Sequence, residues 1–159
     1  MKRKPTYDEM LLRMAGLCAG SEQCASDIRT KILKNEFSVS QADAMLEYLT
    51  RNKYIDDVRF AKAYASDKVR FSGWGKLKIR LGLRAKGLSD SVISKGLAHI
   101  SPQDYAEAIE KALTAKARSL DMSDIRDRQK LYRQLASRGF ESSVIVPAIR
   151  RYVDSLREE

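Results

Sequence analysis

The amino-acid sequence predicts an all-α protein made of three tandem three-helix repeats in an elongated array, straight or curved. Apolar residues recur at three- and four-residue spacings through most of the chain, which is the period of an amphipathic helix. One pattern of apolar residues also occurs three times, at offsets of 51 and 52 residues. A helical repeat of this length indicates units that bury their apolar faces against their neighbours.

The first repeat is predicted over residues 1–53. Thr6 and Glu9 have the spacing of a capping box and come directly after Pro5, which predicts that a helix begins there. The apolar spacing then predicts helices over about 7–20, 22–35 and 40–51.

The second repeat is predicted over residues 54–100, with helices over about 56–71, 74–86 and 90–99. Asp56 and Asp57 suit a helix cap and first turn, where free N–H groups and the positive end of the helix dipole favour carboxylates. The spacing places Phe71 on the apolar face of the first of these helices. A basic last turn followed by Gly87 predicts the end of the second.

The third repeat is predicted over residues 101–159. Ser101 is a suitable cap and Pro102 a suitable first helical residue. The predicted helices cover about 102–117, 125–137 and 141–156. Pro147 lies inside the last one and is expected to kink or delay it.

The threefold pattern consists of two apolar residues four positions apart and a third five positions later. Its members are Ile28, Ile32 and Phe37, then Ile79, Leu83 and Leu88, then Leu131, Leu135 and Phe140. The stretch 76–84 alternates like a β-strand, but its counterparts in the other repeats do not, so a helix is predicted there. Trp74, Leu77 and Leu81 then fall on the side opposite the pattern. Either neighbouring helices cover this side as well, which is the favoured interpretation, or these residues contact a partner.

The positive charge of the chain is concentrated in its middle. The net charge is +9, and residues 54–100 alone carry +6. No Asp or Glu occurs between Lys68 and Ser89. A solvated helix usually mixes signs, so this run favours an anionic partner, with a merely soluble basic face as the alternative.

A series of short motifs runs through the same region in a fixed order. The motifs are Tyr54-Ile55-Asp56-Asp57, Arg59-Phe60-Ala61, Tyr64, Gly73-Trp74-Gly75, Ile79-Arg80, Leu83 and Lys86-Gly87-Leu88. This series resembles the RecX family, the regulators of the RecA recombinase. Gly82 departs from the family pattern, which usually has a polar or acidic residue there. An interior glycine costs about 1 kcal/mol relative to alanine, so a weaker helix is expected at this point.

The resemblance implies a regulator that binds RecA in the groove of its filament and restrains ATP hydrolysis and strand exchange. Such a protein would modulate recombination, DNA repair and the SOS response, and we expect it to be a monomer. On charge grounds, and not from family data, the partner-binding residues are predicted to be Lys68, Arg70, Trp74, Lys76, Lys78, Arg80, Arg84 and Lys86.

A second interpretation is a nucleic-acid-binding helical module without a protein target. It depends on the same basic run, which offers almost no Asn, Gln, Ser or Thr to read base edges. Any contact with single- or double-stranded DNA is therefore expected to be non-specific and sensitive to salt. The two interpretations are compatible, because RecA filaments contain DNA.

No pattern in the sequence predicts an enzyme, a cofactor or a metal site. His99 is the only histidine, and neither a nucleotide-binding glycine motif nor a metal-ligand spacing occurs. Cys18 and Cys24 are expected to be reduced in a cytoplasmic protein, with a disulfide or a thiol switch as the alternative. No apolar run approaches the roughly 20 residues of a membrane span, and the first ten residues lack the apolar segment of a secretory signal.

Overall fold

The computed structural model describes residues 2–159, which form nine α-helices, one π turn and no β-strand. The helices are α1 Tyr7–Gly20, α2 Ala25–Lys34, α3 Val39–Arg51, α4 Asp57–Asp67, α5 Lys76–Ala85, α6 Asp90–Ala98, α7 Pro102–Ala117, α8 Ile125–Ser137 and α9 Ser142–Arg157. The π turn, Lys68–Ser72, directly follows α4. These elements confirm the predicted all-α fold, including the helical state of the alternating stretch in α5.

Side-chain caps start several helices at the predicted places. Thr6 Oγ1 accepts a hydrogen bond of 3.2 Å from the Glu9 N–H at the start of α1. Asp56 accepts one of 3.1 Å from the Arg59 N–H at the start of α4. Ser101 caps α7, with a proline in the first turn.

Helix α2 begins later than its sequence predicts. The periodicity predicts a start at Glu22, whereas the helix begins at Ala25, after Cys24 in an extended conformation. The Ala25 N–H donates a hydrogen bond of 3.2 Å to the carboxylate of Asp57, 32 residues away. Local periodicity does not reveal this start, because the group that caps α2 belongs to α4.

The three repeats share one arrangement of buried side chains and turns. Every residue of the threefold apolar pattern is at most 8% exposed. The residue before the last member of the pattern has a positive φ in each repeat, 64° at Glu36, 77° at Gly87 and 95° at Gly139. A left-handed residue at this position ends the second helix of a repeat and returns the chain to the core. The predicted tandem three-helix architecture is confirmed.

The chain packs into two compact units. The first contains the residues up to Ala63 together with Leu83–Gly96, and the second contains Tyr64–Gly82 together with Leu97–Glu159. Residues of the predicted middle repeat, 54–100, are therefore found in both units. The repeat boundaries given above remain a prediction.

The first unit has a core formed mainly by α1, α2 and α3. Its members are Met10, Met14, Ile28, Ile32, Phe37, Ala42, Met45, Leu49 and Ile55. Both cysteines lie in this unit as free thiols, Cys24 buried and Cys18 half-buried. Burial raises the pKa of both thiols above the ordinary value, which lowers the fraction of reactive thiolate.

The second unit is built around α7, α8 and α9. Its buried side chains include Ile109 and Leu113 of α7, Leu131 and Leu135 of α8, and Ile145 of α9. The π turn and α5 add Val69 and Ile79. Helix α9 continues through its proline, which lies in the second turn.

Candidate functional site

The predicted partner-binding residues differ in what they contact. Lys68 and Arg70 lie in the π turn, Trp74 in the link to α5, Lys76, Lys78, Arg80 and Arg84 on α5, and Lys86 in the turn after it. Some of these side chains form a cluster with aromatic rings in the second unit. Others make contacts that stabilise the fold.

Two lysines direct their ammonium groups at Trp74. The Nζ atoms of Lys68 and Lys78 each lie 4.6 Å from the centre of the indole ring. Tyr64 packs edge-on against the same ring, with the ring centres 6.5 Å apart. Cation–π contacts of this kind contribute about 0.5–1 kcal/mol each at exposed sites. Trp74 is half-buried, so part of this positively charged aromatic cluster is accessible at the surface.

The π turn positions Lys68 beside Trp74. Gly73, with a φ of 66°, ends the turn, and the Trp74 N–H donates a hydrogen bond of 3.0 Å to the Lys68 carbonyl. Hydrogen bonds in a π turn run five residues back instead of four, so the residues after α4 are rotated relative to an α-helix. Val69 is 1% exposed and Phe71 is 77% exposed. The predicted position of Phe71 on the apolar face is therefore wrong, because the helix changes type at Lys68.

Phe71 and Arg70 border a groove next to α7. The guanidinium of Arg70 lies 5.3 Å from the centre of the Phe71 ring. The groove has a volume of about 590 Å³ and is lined by alanines of α7 and by the carboxylates of Asp104 and Glu107. Phe71 is a candidate contact residue, although the apolar spacing predicts it on the apolar face of its helix. Its place beside an arginine in the acid-free run was the only sequence signal for this role.

Helix α5 presents an apolar pair to the exterior. Leu77 is 46% exposed and Leu81, one turn later, is 64% exposed. At about 100° per residue, Arg80 lies on one side of this pair and Lys78 on the other. The favoured interpretation, in which packing covers Leu77 and Leu81, is wrong, because only the side of α5 with Ile79 is buried. The alternative, a contact with a partner, remains a proposal.

The amino end of α5 is closed by the turn between α8 and α9. The Gly75 N–H donates a hydrogen bond of 2.8 Å to the Arg138 carbonyl, and the Leu77 N–H donates one of 3.0 Å to the Gly139 carbonyl. The two backbones are so close that a Cβ at Gly75 would lie 2.3 Å from the carbonyl carbon of Gly139. These N–H groups are occupied within the protein, so this helix end does not offer them to a bound anion.

Lys76 contributes to the same closure. Its N–H donates a hydrogen bond of 3.0 Å to the hydroxyl of Tyr105, and its ammonium lies 5.0 Å from the centre of the Tyr105 ring. The Tyr105 hydroxyl in turn donates to the carboxylate of Glu141. Burial and then this hydrogen bond raise the pKa of Tyr105, so the phenol stays protonated and able to donate. Lys76 therefore has a structural role, whatever it contributes to binding.

Two of the predicted residues make ion pairs in the first unit. The Nζ of Lys86 lies 2.7 Å from the carboxylate of Asp27, and its carbonyl accepts a hydrogen bond of 2.6 Å from the Ser26 hydroxyl. Burial raises the pKa of Asp27, but the hydrogen bond and charge of Lys86 outweigh it and hold the pKa below its usual value. Arg84 lies 3.5 Å from Asp90, and both side chains are mostly exposed. Lys86 therefore links the turn after α5 to α2, whereas the ion pair of Arg84 with Asp90 contributes little to stability.

Other kinds of site have little support in the part of the chain that the structure describes. Within residues 2–159, no group of three or more His, Cys, Asp or Glu is placed to hold a metal ion. None of the helices in this range combines the length and the apolar character that crossing a bilayer requires. His99 is exposed directly after α6.

Two protein-family models match the chain. The model of the RecX second three-helix domain matches residues 56–97, and the model of the RecX third three-helix domain matches residues 103–149. Together the two matches cover more than half of the sequence, and they include the Trp74 cluster.

Named relatives and a solved structure are similar as well. A regulatory protein RecX of Chlorobium phaeobacteroides is 35% identical over 124 residues, which cover 78% of this chain and 80% of that protein. A regulatory protein RecX of Clostridium acetobutylicum is 31% identical over 75% of this chain, but the match covers only 57% of that relative. This chain thus spans little more than half the length of the second relative. A crystal structure of regulatory protein RecX has a TM-score of 0.76 and 26% identity, covering 87% of this chain and 70% of the other.

Proposed function

Because the chain belongs to the RecX family, we propose that it is a non-enzymatic regulator of the RecA recombinase. In this proposal the protein binds RecA filaments as a monomer and inhibits their ATP hydrolysis and strand exchange, which modulates recombination and DNA repair. The observation that carries the proposal is the match to two consecutive family domains together with relatives called regulatory proteins.

We assign the contact to a set of exposed and half-buried residues of the second unit and call them the basic–aromatic surface. Its members are Lys68, Arg70, Phe71, Trp74, Leu77, Lys78, Arg80 and Leu81. Aromatic and arginine side chains often dominate the binding energy of protein interfaces. The positive charge would speed association with an acidic partner surface, and the exposed leucines would supply apolar contacts.

The direct test is the DNA-dependent ATPase of RecA, measured with increasing amounts of this protein and single-stranded DNA in large excess. Inhibition that persists in excess DNA supports a direct contact with RecA. Inhibition that disappears as DNA is added indicates competition for the DNA and contradicts the proposed contact.

Charge reversal locates the contact. The variant Lys78→Glu/Arg80→Glu is expected to weaken inhibition about tenfold, because both side chains flank the exposed leucines of α5. The matched control is Lys31→Glu/Lys34→Glu, which makes the same change in charge on the exposed side of α2. Equal loss in the two variants would indicate a general charge effect and remove α5 from the contact. Circular dichroism should report unchanged helix content in both.

The Trp74 cluster also favours a second candidate function, binding of nucleic acid without a protein target. Lysines next to an accessible aromatic ring are typical of surfaces that bind single strands, and the Trp74 ring is half-buried. Because Trp74 is the only tryptophan, quenching of its fluorescence by oligo(dT) reports contact at this ring. Affinity would fall with salt, with a logarithmic slope of about −0.7 per neutralised phosphate.

A further inference from the structure

We propose that the groove between α8 and α9 is a separate docking site for an acidic, amphipathic segment of a partner protein. We call it the α8–α9 groove. It has a volume of about 310 Å³ and lies entirely within the second unit. None of its residues belongs to the basic–aromatic surface, and the inference does not depend on the proposed function.

Three arginines give the groove its charge. Arg128 of α8 and Arg150 and Arg157 of α9 line it, and Asp154 is the one carboxylate among the lining residues. Within residues 2–159 none of the three guanidinium groups makes an ion pair or a hydrogen bond. The groove is therefore cationic, because three arginines face one carboxylate.

Arg128 of the groove has a hydrogen-bond donor without a partner. Its Nε atom is buried and has no hydrogen-bond acceptor. A buried donor without a partner is costly, and native proteins nearly always satisfy such groups. A guanidinium group matches a carboxylate through two parallel hydrogen bonds, so an Asp or Glu side chain in the groove would pair with these arginines. The Nε of Arg128 would gain such an acceptor once its side chain turns toward the groove.

The apolar part of the groove favours a protein segment over nucleic acid. Val146, Ile149 and Val153 lie on one side of α9 at helical spacing, next to the side that buries Ile145 and Ala148. Val146 is 45% exposed. No aromatic ring lines the groove, so it offers no stacking platform for bases. Aliphatic side chains bordered by arginines fit a helix with one apolar and one acidic face.

The test uses a fluorescein-labelled helical peptide with one leucine face and one glutamate face, followed by fluorescence anisotropy at physiological salt. Arg128→Gln and Arg150→Gln should each raise the Kd about tenfold, because each loses a charge-assisted hydrogen-bonded pair. The matched control Arg151→Gln removes an exposed arginine of the same helix outside the groove and should change the Kd by less than about twofold. A peptide with Gln in place of Glu should bind much more weakly than the original.

Several results would overturn this assignment. Equal weakening by Arg150→Gln and Arg151→Gln would mean general attraction to a basic protein, and equal binding of the Gln peptide would mean apolar contact alone. Binding of oligo(dT) that Arg150→Gln reduces in parallel would assign the groove to phosphates.

Thermal unfolding of the free Arg128→Gln variant adds a second readout. Removal of an unsatisfied donor should leave the Tm unchanged or higher, whereas a clear drop would mean that Arg128 serves the fold. Since RecA is absent from the assay, its outcome is independent of the proposed function.

Discussion

Gly82 makes room for Tyr64 beside the indole of Trp74. A Cβ at Gly82 would lie 2.2 Å from the Tyr64 hydroxyl oxygen and 3.1 Å from the ring carbon that carries it. The sequence alone marks Gly82 as a weak point in α5, because glycine lowers helix propensity. The structure gives the reason for it, which is the space that Tyr64 occupies in the Trp74 cluster.

Gly82→Ala should therefore destabilise the protein even though alanine is the better helix former. We expect a loss of about 1–2 kcal/mol in the free energy of unfolding, together with a shift in Trp74 emission, because Tyr64 must move. Adding Tyr64→Phe removes the clashing hydroxyl and should recover part of the loss, with a coupling of about 1 kcal/mol. The measurement is urea denaturation followed by tryptophan fluorescence.

A matched control exists in α1. Gly16 is helical and has no heavy atom within 4 Å of an added Cβ, so Gly16→Ala should stabilise by up to about 1 kcal/mol. Strictly additive effects of Gly82→Ala and Tyr64→Phe would contradict the proposed contact.

At the scale of elements, the turns after α5 and α8 share a conformation but differ in their surroundings. Gly87 and Gly139 both have a positive φ. An added Cβ would meet no atom within 4 Å at Gly87, but at Gly139 it would lie 2.4 Å from the Cβ of Lys78. The second turn is thus packed against α5, whereas the first has free space at the same point.

The two alanine variants separate backbone strain from packing. Gly87→Ala should cost about 1–2 kcal/mol, which is the penalty for a left-handed alanine. Gly139→Ala should lower the free energy of unfolding by at least about 1–2 kcal/mol more, because the backbone of the turn or helix α5 must also shift. Chemical denaturation of both variants measures the difference, and equal costs would mean that α5 and the turn are not in close contact.

Helix ends can be predicted from this sequence more readily than helix type. Local chemistry predicts the helix end at Gly87 and the helix start at Asp56, and comparison of the repeats identifies α5 as helical. The π turn leaves no such trace, because the apolar spacing around Phe71 is the same for an α-helix. The change of helix type shows only in the hydrogen bonds, where the N–H groups of Gly73 and Trp74 both donate to the Lys68 carbonyl.

At the scale of the whole molecule, contacts between distant segments decide which basic residues are available. The ion pair of Asp27 and Lys86 joins residues 59 positions apart. The clustering of basic residues in the sequence predicts both Lys86 and Arg80 as binding residues. It cannot separate them, because composition does not show which side chains form ion pairs with distant segments of the chain. The structure separates the two residues, since one is paired in the fold and the other lies exposed on α5.

This ion pair predicts a dependence of stability on pH. The folded-state pKa of Asp27 is lowered, so its contribution is complete above the unfolded pKa of about 3.9 and is lost as the pH falls through the folded value. Asp27→Asn should therefore lower the free energy of unfolding at pH 7, by less than about 1 kcal/mol because the pair is partly exposed. The gap between wild type and variant should close below about pH 4.

Urea denaturation across this pH range provides the measurement. In a Lys86→Met background the effect of Asp27→Asn at pH 7 should shrink or change sign, because the favourable partner is gone. A gap that stays constant from neutral to acidic pH would contradict a role for the carboxylate charge.

The closure of the amino end of α5 by the turn between α8 and α9 also limits how this scaffold can be redesigned. Gly75 and Leu77 donate to carbonyls of the last repeat, and Lys76 donates to its first helix. A version cut to two repeats would expose these three donors and lose the backbone that shields them. Shortened or extended variants would thus need a grafted terminal module that supplies equivalent acceptors, much as engineered repeat proteins need dedicated end caps.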